Sequence, residues 1–142
     1  DIAKVKECLT LLGSELGVSP LPQLGAMIET PAAALSVRVM EPYAEFLSFG
    51  TNDLTQYAFA ADRENAAVEQ YFQDSSDVIL RLLRIAHDDA PHMPLSVCGE
   101  LAGRPAYIPK LLQCGVRTLS VAPPLIPIIK EAIRESLCSP IA

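Results

Sequence analysis

No stretch of this 142-residue chain approaches the ~20 consecutive apolar residues of a membrane-spanning helix, and no signal peptide opens it. The basic residues are scattered and the formal net charge is −6, which disfavours a nucleic-acid surface built on a clustered basic patch. Neither a membrane nor a nucleic acid is an expected partner. The four cysteines (Cys8, Cys98, Cys114 and Cys138) show no CxxC spacing, so paired metal or redox motifs have no support. A chain this apolar does not need disulfides, and the cysteines read as reduced thiols of a cytoplasmic protein. Histidine is scarce. His87 and His92 flank a connection containing Pro91 and Pro94, where surface positions are expected, and histidine chemistry is not. No repeat or low-complexity segment is visible. The first residue is Asp1 rather than Met, so the chain is expected to be a piece of a longer protein.

What is present is apolar material: half of the residues are hydrophobic, enough for one core in a chain of this length. Residues 1–12 place Ile2, Val5, Leu9 and Leu12 on one helical face, with Gly13 as the stop. Residues 24–29 (LGAMIE) read as a buried strand. Thr30 as N-cap and Pro31 at the first helical position then predict a helix to about Met40. Residues 46–50 (FLSFG) form the next strand, and a helix starts near Asp53. Ser75 or Ser76 caps a helix over residues 77–87, with Asp77 and Arg81 spaced as an i,i+4 pair. Residues 95–98 form a third strand, 105–113 a helix closed by Gly115, and 118–122 a fourth strand. Ile126, Ile129, Ile133 and Leu137 mark the last helix. A helix followed by four βα units, with strands apolar throughout, predicts an α/β fold with a helix-covered parallel sheet. Two architectures fit: a small open sheet, or the C-terminal half of a (β/α)8 TIM barrel.

In both, functional residues gather where strands end and βα loops begin. Four segments put polar residues there: 29–31, 50–53, 98–100 and 120–122. Glu29 and Asp53 are about one short βα unit apart, which predicts two carboxylates at one rim of the sheet. Such a pair is a hard oxygen site suited to Mg²⁺. The alternatives are a helix N-cap for Asp53 and a first-turn charge for Glu29. Gly50 and its small or polar followers admit a substrate close to the backbone. The helix N-terminus beside them can receive an anion. Arg63, in the polar stretch 62–65, suits a carboxylate or phosphate, and equally a solvated loop. An ordinary thiol, with a pKa near 8.5, is mostly protonated at neutral pH. Cys98 can therefore protonate a carbanion or enolate; the alternative is a buried structural cysteine, which also fits Cys8, Cys114 and Cys138.

Residues 27–33 (MIETPAA), 48–57 (SFGTNDLTQY) and 98–103 (CGELAG) together resemble the phosphoenolpyruvate-utilising enzymes. Within that family they are most similar to Enzyme I of the bacterial sugar phosphotransferase system, including its multiphosphoryl-transfer relatives. The resemblance runs from about Gly25 to Arg134. Dikinases and synthases share the GTNDLTQ core, while Tyr57 followed by residues 61–65 (ADREN), with GELAG after Cys98, favours Enzyme I. The resemblance implies a (β/α)8 barrel that binds phosphoenolpyruvate and Mg²⁺, with residues 1–142 a partial phosphoenolpyruvate/pyruvate-binding domain. It implies Glu29 and Asp53 as metal ligands, and Asn52 and Arg63, with backbone at Asn52–Asp53, as phosphate contacts. It implies Cys98 as the proton donor that turns enolpyruvate into pyruvate. The phosphoryl group would pass to a histidine on a separate N-terminal domain, then to a histidine-containing phosphocarrier protein. Departures are Glu45 where the family has Asp, and residues 73–76 (QDSS) where it has His-Pro. The family's first four strands, with further substrate-binding arginines, and its phosphohistidine domain are not in this chain. Poor phosphoenolpyruvate binding, no transfer and self-association into at least a homodimer are the expectations for the chain alone. A scaffold without chemistry, or a dikinase or synthase barrel, are the alternatives.

Overall fold

The computed structural model describes residues 1–72 and 77–138. Four strands form one sheet: β1 (Gly25–Ile28), β2 (Phe46–Gly50), β3 (Leu95–Cys98) and β4 (Val116–Leu119). All neighbours are parallel and the spatial order follows the chain, β1-β2-β3-β4. The α-helices are α1 (Ile2–Leu16), α2 (Pro31–Ala34), α3 (Thr51–Phe59), α4 (Asp77–Asp89), α5 (Ile108–Gln113) and α6 (Ile126–Cys138). The expected α/β alternation is therefore present. Among the described residues no helix is long and apolar enough to cross a membrane.

The sheet's two faces differ. Ile28, Leu47, Phe49, Leu95, Val97 and Val116 alternate along their strands and are essentially fully buried. They form the core with Leu54 of α3, Ile79 and Leu83 of α4, Ile108 and Leu111 of α5, and Ile129 of α6. Each such side chain contributes roughly 1.5–3 kcal/mol by leaving water. The other face carries Met27, Ser48 and Ser96 in one register row, all at least partly exposed. The strands are thus not apolar throughout, as the sequence pattern suggested. Helices pack on one face, so polar residues occupy alternate positions on the other.

Local differences have local causes. Helix α1 does not stop at Gly13, which is buried against Leu21 within the helix; it ends at Gly17, whose φ of 65° is left-handed. Thr30 caps α2 as expected, its hydroxyl accepting from the Ala33 amide at 3.2 Å. The helix then ends at Ala34, and residues Val37–Val39 form a separate 3-10 turn. The β-branched valines there propagate an α-helix poorly. The helix expected over 105–113 divides into a 3-10 turn (Pro105–Tyr107) and α5. Strand β4 starts two residues before its expected position and ends at Leu119. The expected caps Ser75 and Ser76 lie outside the described residues. Asp77 sits 3.9 Å from Lys110 of α5. His92 is exposed and 3.0 Å from Glu41, as befits a surface residue, whereas His87 is half-buried over Gly115.

Candidate active site

Strand register assembles the site. Ile28 pairs with Phe49, Phe49 with Val97, and Gly50 with Cys98. Glu29 follows β1 immediately and so extends the row occupied by Gly50 and Cys98. Its side chain lies across Gly50: a β-carbon added there would stand 2.8 Å from Glu29 Oε1 and 2.9 Å from its Cγ. Gly50 is needed for this close approach, not for an unusual backbone angle. The helix opening next, α3, carries Asp53 in its first turn, where the N-terminal dipole favours a carboxylate. Asp53 is therefore not the N-cap; Gly50 occupies that position. Glu29 and Asp53 are both half-buried, and among the described residues neither pairs with a cation. No cluster of three or more His, Cys, Asp or Glu side chains suited to a metal occurs among the described residues.

The segment after β2 also fixes the loop after β3. Thr51 is fully buried and its hydroxyl donates to the Cys98 carbonyl at 2.8 Å. The Asn52 side-chain oxygen accepts from the Glu100 amide at 3.0 Å. Its oxygen engaged, Asn52 has its NH₂ left as a donor for a ligand. Gly99 lies between these two ties with φ of 96°, and a β-carbon there would stand 2.6 Å from Thr51 Oγ1.

Cys98 is partly exposed. Its sulfur is 3.5 Å from the Phe49 carbonyl, and 4.0 Å from both Ser48 Oγ and Met27 Sδ. Together with Asn52, Gly99, Glu100, Gly103, Ser120 and Leu125, Cys98 lines an open cleft of about 540 Å³. The sequence marked 120–122 as a strand-end segment without assigning Ser120 a role; the cleft is what connects it to Cys98. Arg63 is exposed on a turn after α3, and among the described residues it makes no hydrogen bond or ion pair with the other candidates.

The remaining cysteines divide. Cys114 is buried, its thiol 3.4 Å from the Leu80 carbonyl, as a structural cysteine should be. Burial pushes its pKa up, and nearby Arg84 only partly offsets this. Cys8 and Cys138 are exposed, contrary to the buried reading, because α1 and α6 turn those positions to solvent. All four are free thiols.

Residues 2–138 match the sequence family described as PEP-utilising enzyme, PEP-binding domain. The chain belongs to this family. Among its family relatives is a phosphoenolpyruvate-protein phosphotransferase of Mycoplasma pneumoniae, 36% identical over 124 residues, or 86% of this chain and 22% of the relative. A multiphosphoryl transfer protein of Xanthomonas campestris pv. campestris is 38% identical over 136 residues, 94% of this chain and 16% of the relative. A probable phosphoenolpyruvate synthase of Methanocaldococcus jannaschii is 34% identical over 125 residues, 84% of this chain and 10% of the relative. The chain thus spans less than a quarter of the length of these PEP-utilising relatives.

Proposed function

We propose that this chain is the part of a phosphoenolpyruvate-protein phosphotransferase barrel that holds the Mg²⁺ ligands and the enolpyruvate proton donor. The observation that carries the reading is the row Glu29–Gly50–Cys98. It sets a carboxylate and a thiol beside one glycine at the C-terminal ends of parallel strands, with Asp53 opening the next helix. Glu29 and Asp53 fit Mg²⁺ by donor chemistry: two carboxylates without a cationic partner among the described residues, in the number that Mg²⁺ accepts alongside water and substrate oxygens. When bound, the ion would neutralise charge on the transferring phosphoryl group.

The chain's own residues supply the rest. Asn52 offers its NH₂ toward substrate phosphate, with the first amides of α3 beside it. Cys98 faces the cleft with its proton available to the methylene carbon of enolpyruvate. Arg63 closes on the phosphate from its turn, by movement of a polar loop. The half-barrel reading draws support from strand order. Open doubly wound sheets reverse order at a switch point, and these four strands run in sequence without one. Four further strands would then complete the site. The phosphoryl group would pass through a histidine of another domain to a phosphocarrier protein, and free sheet edges would favour a homodimer. The free thiols suit the cytoplasm. A dikinase or synthase parent is the second reading, supported by the synthase relative.

The test is protection of Cys98 from iodoacetamide, read by peptide mass spectrometry. Millimolar phosphoenolpyruvate with Mg²⁺ should slow alkylation of Cys98 and leave Cys8 unaffected, and Asp53→Asn should abolish the effect. Protection that survives Asp53→Asn overturns the metal assignment. Full protection at micromolar phosphoenolpyruvate contradicts a site shared with further strands.

A further inference from the structure

We propose that Ser48 is a positioning residue for Cys98, holding the sulfur after its proton has left. This rests on the proton-donor reading of Cys98 and adds a residue to it. Strand β2 builds the socket around the sulfur. The Phe49 carbonyl lies 3.5 Å away and accepts from the thiol. Ser48 Oγ, on the face not covered by helices, lies 4.0 Å away and is oriented to donate. Thr51 anchors the Cys98 backbone through its carbonyl at 2.8 Å. Met27 Sδ, at 4.0 Å, completes the contacts without being a donor.

The asymmetry between the two polar neighbours carries the inference. In the resting thiol the S–H points to an acceptor, and Ser48 is incidental. During turnover the S–H bond breaks and a C–H bond forms at the enolate methylene carbon. The electron pair of the C=C bond makes the new bond, and the enolate oxygen becomes the ketone of pyruvate. Sulfur keeps the S–H pair as a thiolate, until solvent water returns a proton. At that moment the Phe49 carbonyl faces an anion with its negative end. Among the described residues, Ser48 O–H is then the side-chain donor in contact with the sulfur. A hydrogen bond to an ionised acceptor is about twice as strong as a neutral one. Ser48 therefore favours the state after proton delivery over the state before it, the kind of differential contact that accelerates a step.

The test compares Ser48→Thr with Ser48→Val in this chain. The two replacements have the same shape, so access to the sulfur and packing are matched and only the hydroxyl differs. Iodoacetamide reacts with the thiolate. Alkylation of Cys98 at neutral pH should be near wild type in Ser48→Thr and slower by roughly fivefold in Ser48→Val, the effect of one hydrogen bond. Alkylation of exposed Cys8 should be equal in both. Equal Cys98 rates in the two variants overturn the proposal; Ser48→Ala, which removes the hydroxyl without adding bulk, gives the same comparison if Ser48→Val does not fold. The proton-donor reading fails separately, if Cys98→Ala leaves pyruvate release by the complete enzyme unchanged.

Discussion

The Thr51 hydroxyl donates to the Cys98 carbonyl at 2.8 Å, joining residues 47 positions apart in the chain. This contact binds the helix that presents Asp53 to the loop that presents Cys98. The two halves of the proposed site are thereby tied to each other.

Thr51→Val keeps the shape and removes the donor, leaving a partly buried carbonyl without its partner. The expected loss is about 1–3 kcal/mol in urea unfolding. Thr51→Ser should recover most of it.

Gly50→Ala should displace the Glu29 carboxylate, because the new β-carbon would meet Glu29 Oε1 at 2.8 Å and its Cγ at 2.9 Å. Stability should fall by about 1–3 kcal/mol, the usual cost of overpacking. The Mg²⁺-dependent protection of Cys98 should be lost with it. Unfolding and alkylation assays on the same variant read both effects.

Gly99→Ala meets two obstacles, a φ of 96° and Thr51 Oγ1 at 2.6 Å. A cost of roughly 1–3 kcal/mol is expected from the backbone strain alone. Unfolding should also become less sensitive to Thr51→Val, since both changes break the same tie. A double-mutant cycle measures this.

Cys114 gives a pH signature. Burial raises its pKa in the folded protein, so the folded state holds the thiol proton where the unfolded chain releases it. Its contribution is intact below the unfolded thiol pKa, about 8.5, and is lost as pH rises from there through the folded value. Urea unfolding should show stability declining above that pH. Cys114→Ala should lessen the decline while lowering stability at neutral pH through the cavity it leaves.

The sequence already displayed the βα alternation, the exact extents of β2 and β3, the Thr30 cap and the strand-end placement of Glu29 and Cys98. These are local signals: apolar runs, a capping hydroxyl followed by proline, and glycine at a turn. Other features depend on partners distant in the chain. Gly13 looked like a stop, but its lack of a side chain serves contact with Leu21 instead. Ser48 and Ser96 interrupt apolar strands because one sheet face is not covered by helices, which no single strand reveals. Thr51 carries no role in the sequence pattern of residues 50–53, and its bond to Cys98 requires strand register to become visible. Arg63 remains a loop residue whose place depends on what the loop closes upon.

The proposed function stands on Glu29 and Asp53 holding one divalent ion beside Cys98. Mn²⁺, a paramagnetic substitute for Mg²⁺, tests it most directly by broadening the amide signals of nearby residues in nuclear magnetic resonance spectra. Broadening is expected to centre on Ile28, Glu29, Thr51 and Asp53, to reach Cys98, and to be abolished by Glu29→Gln. Broadening centred on another acidic surface, or unchanged in Glu29→Gln, would contradict it.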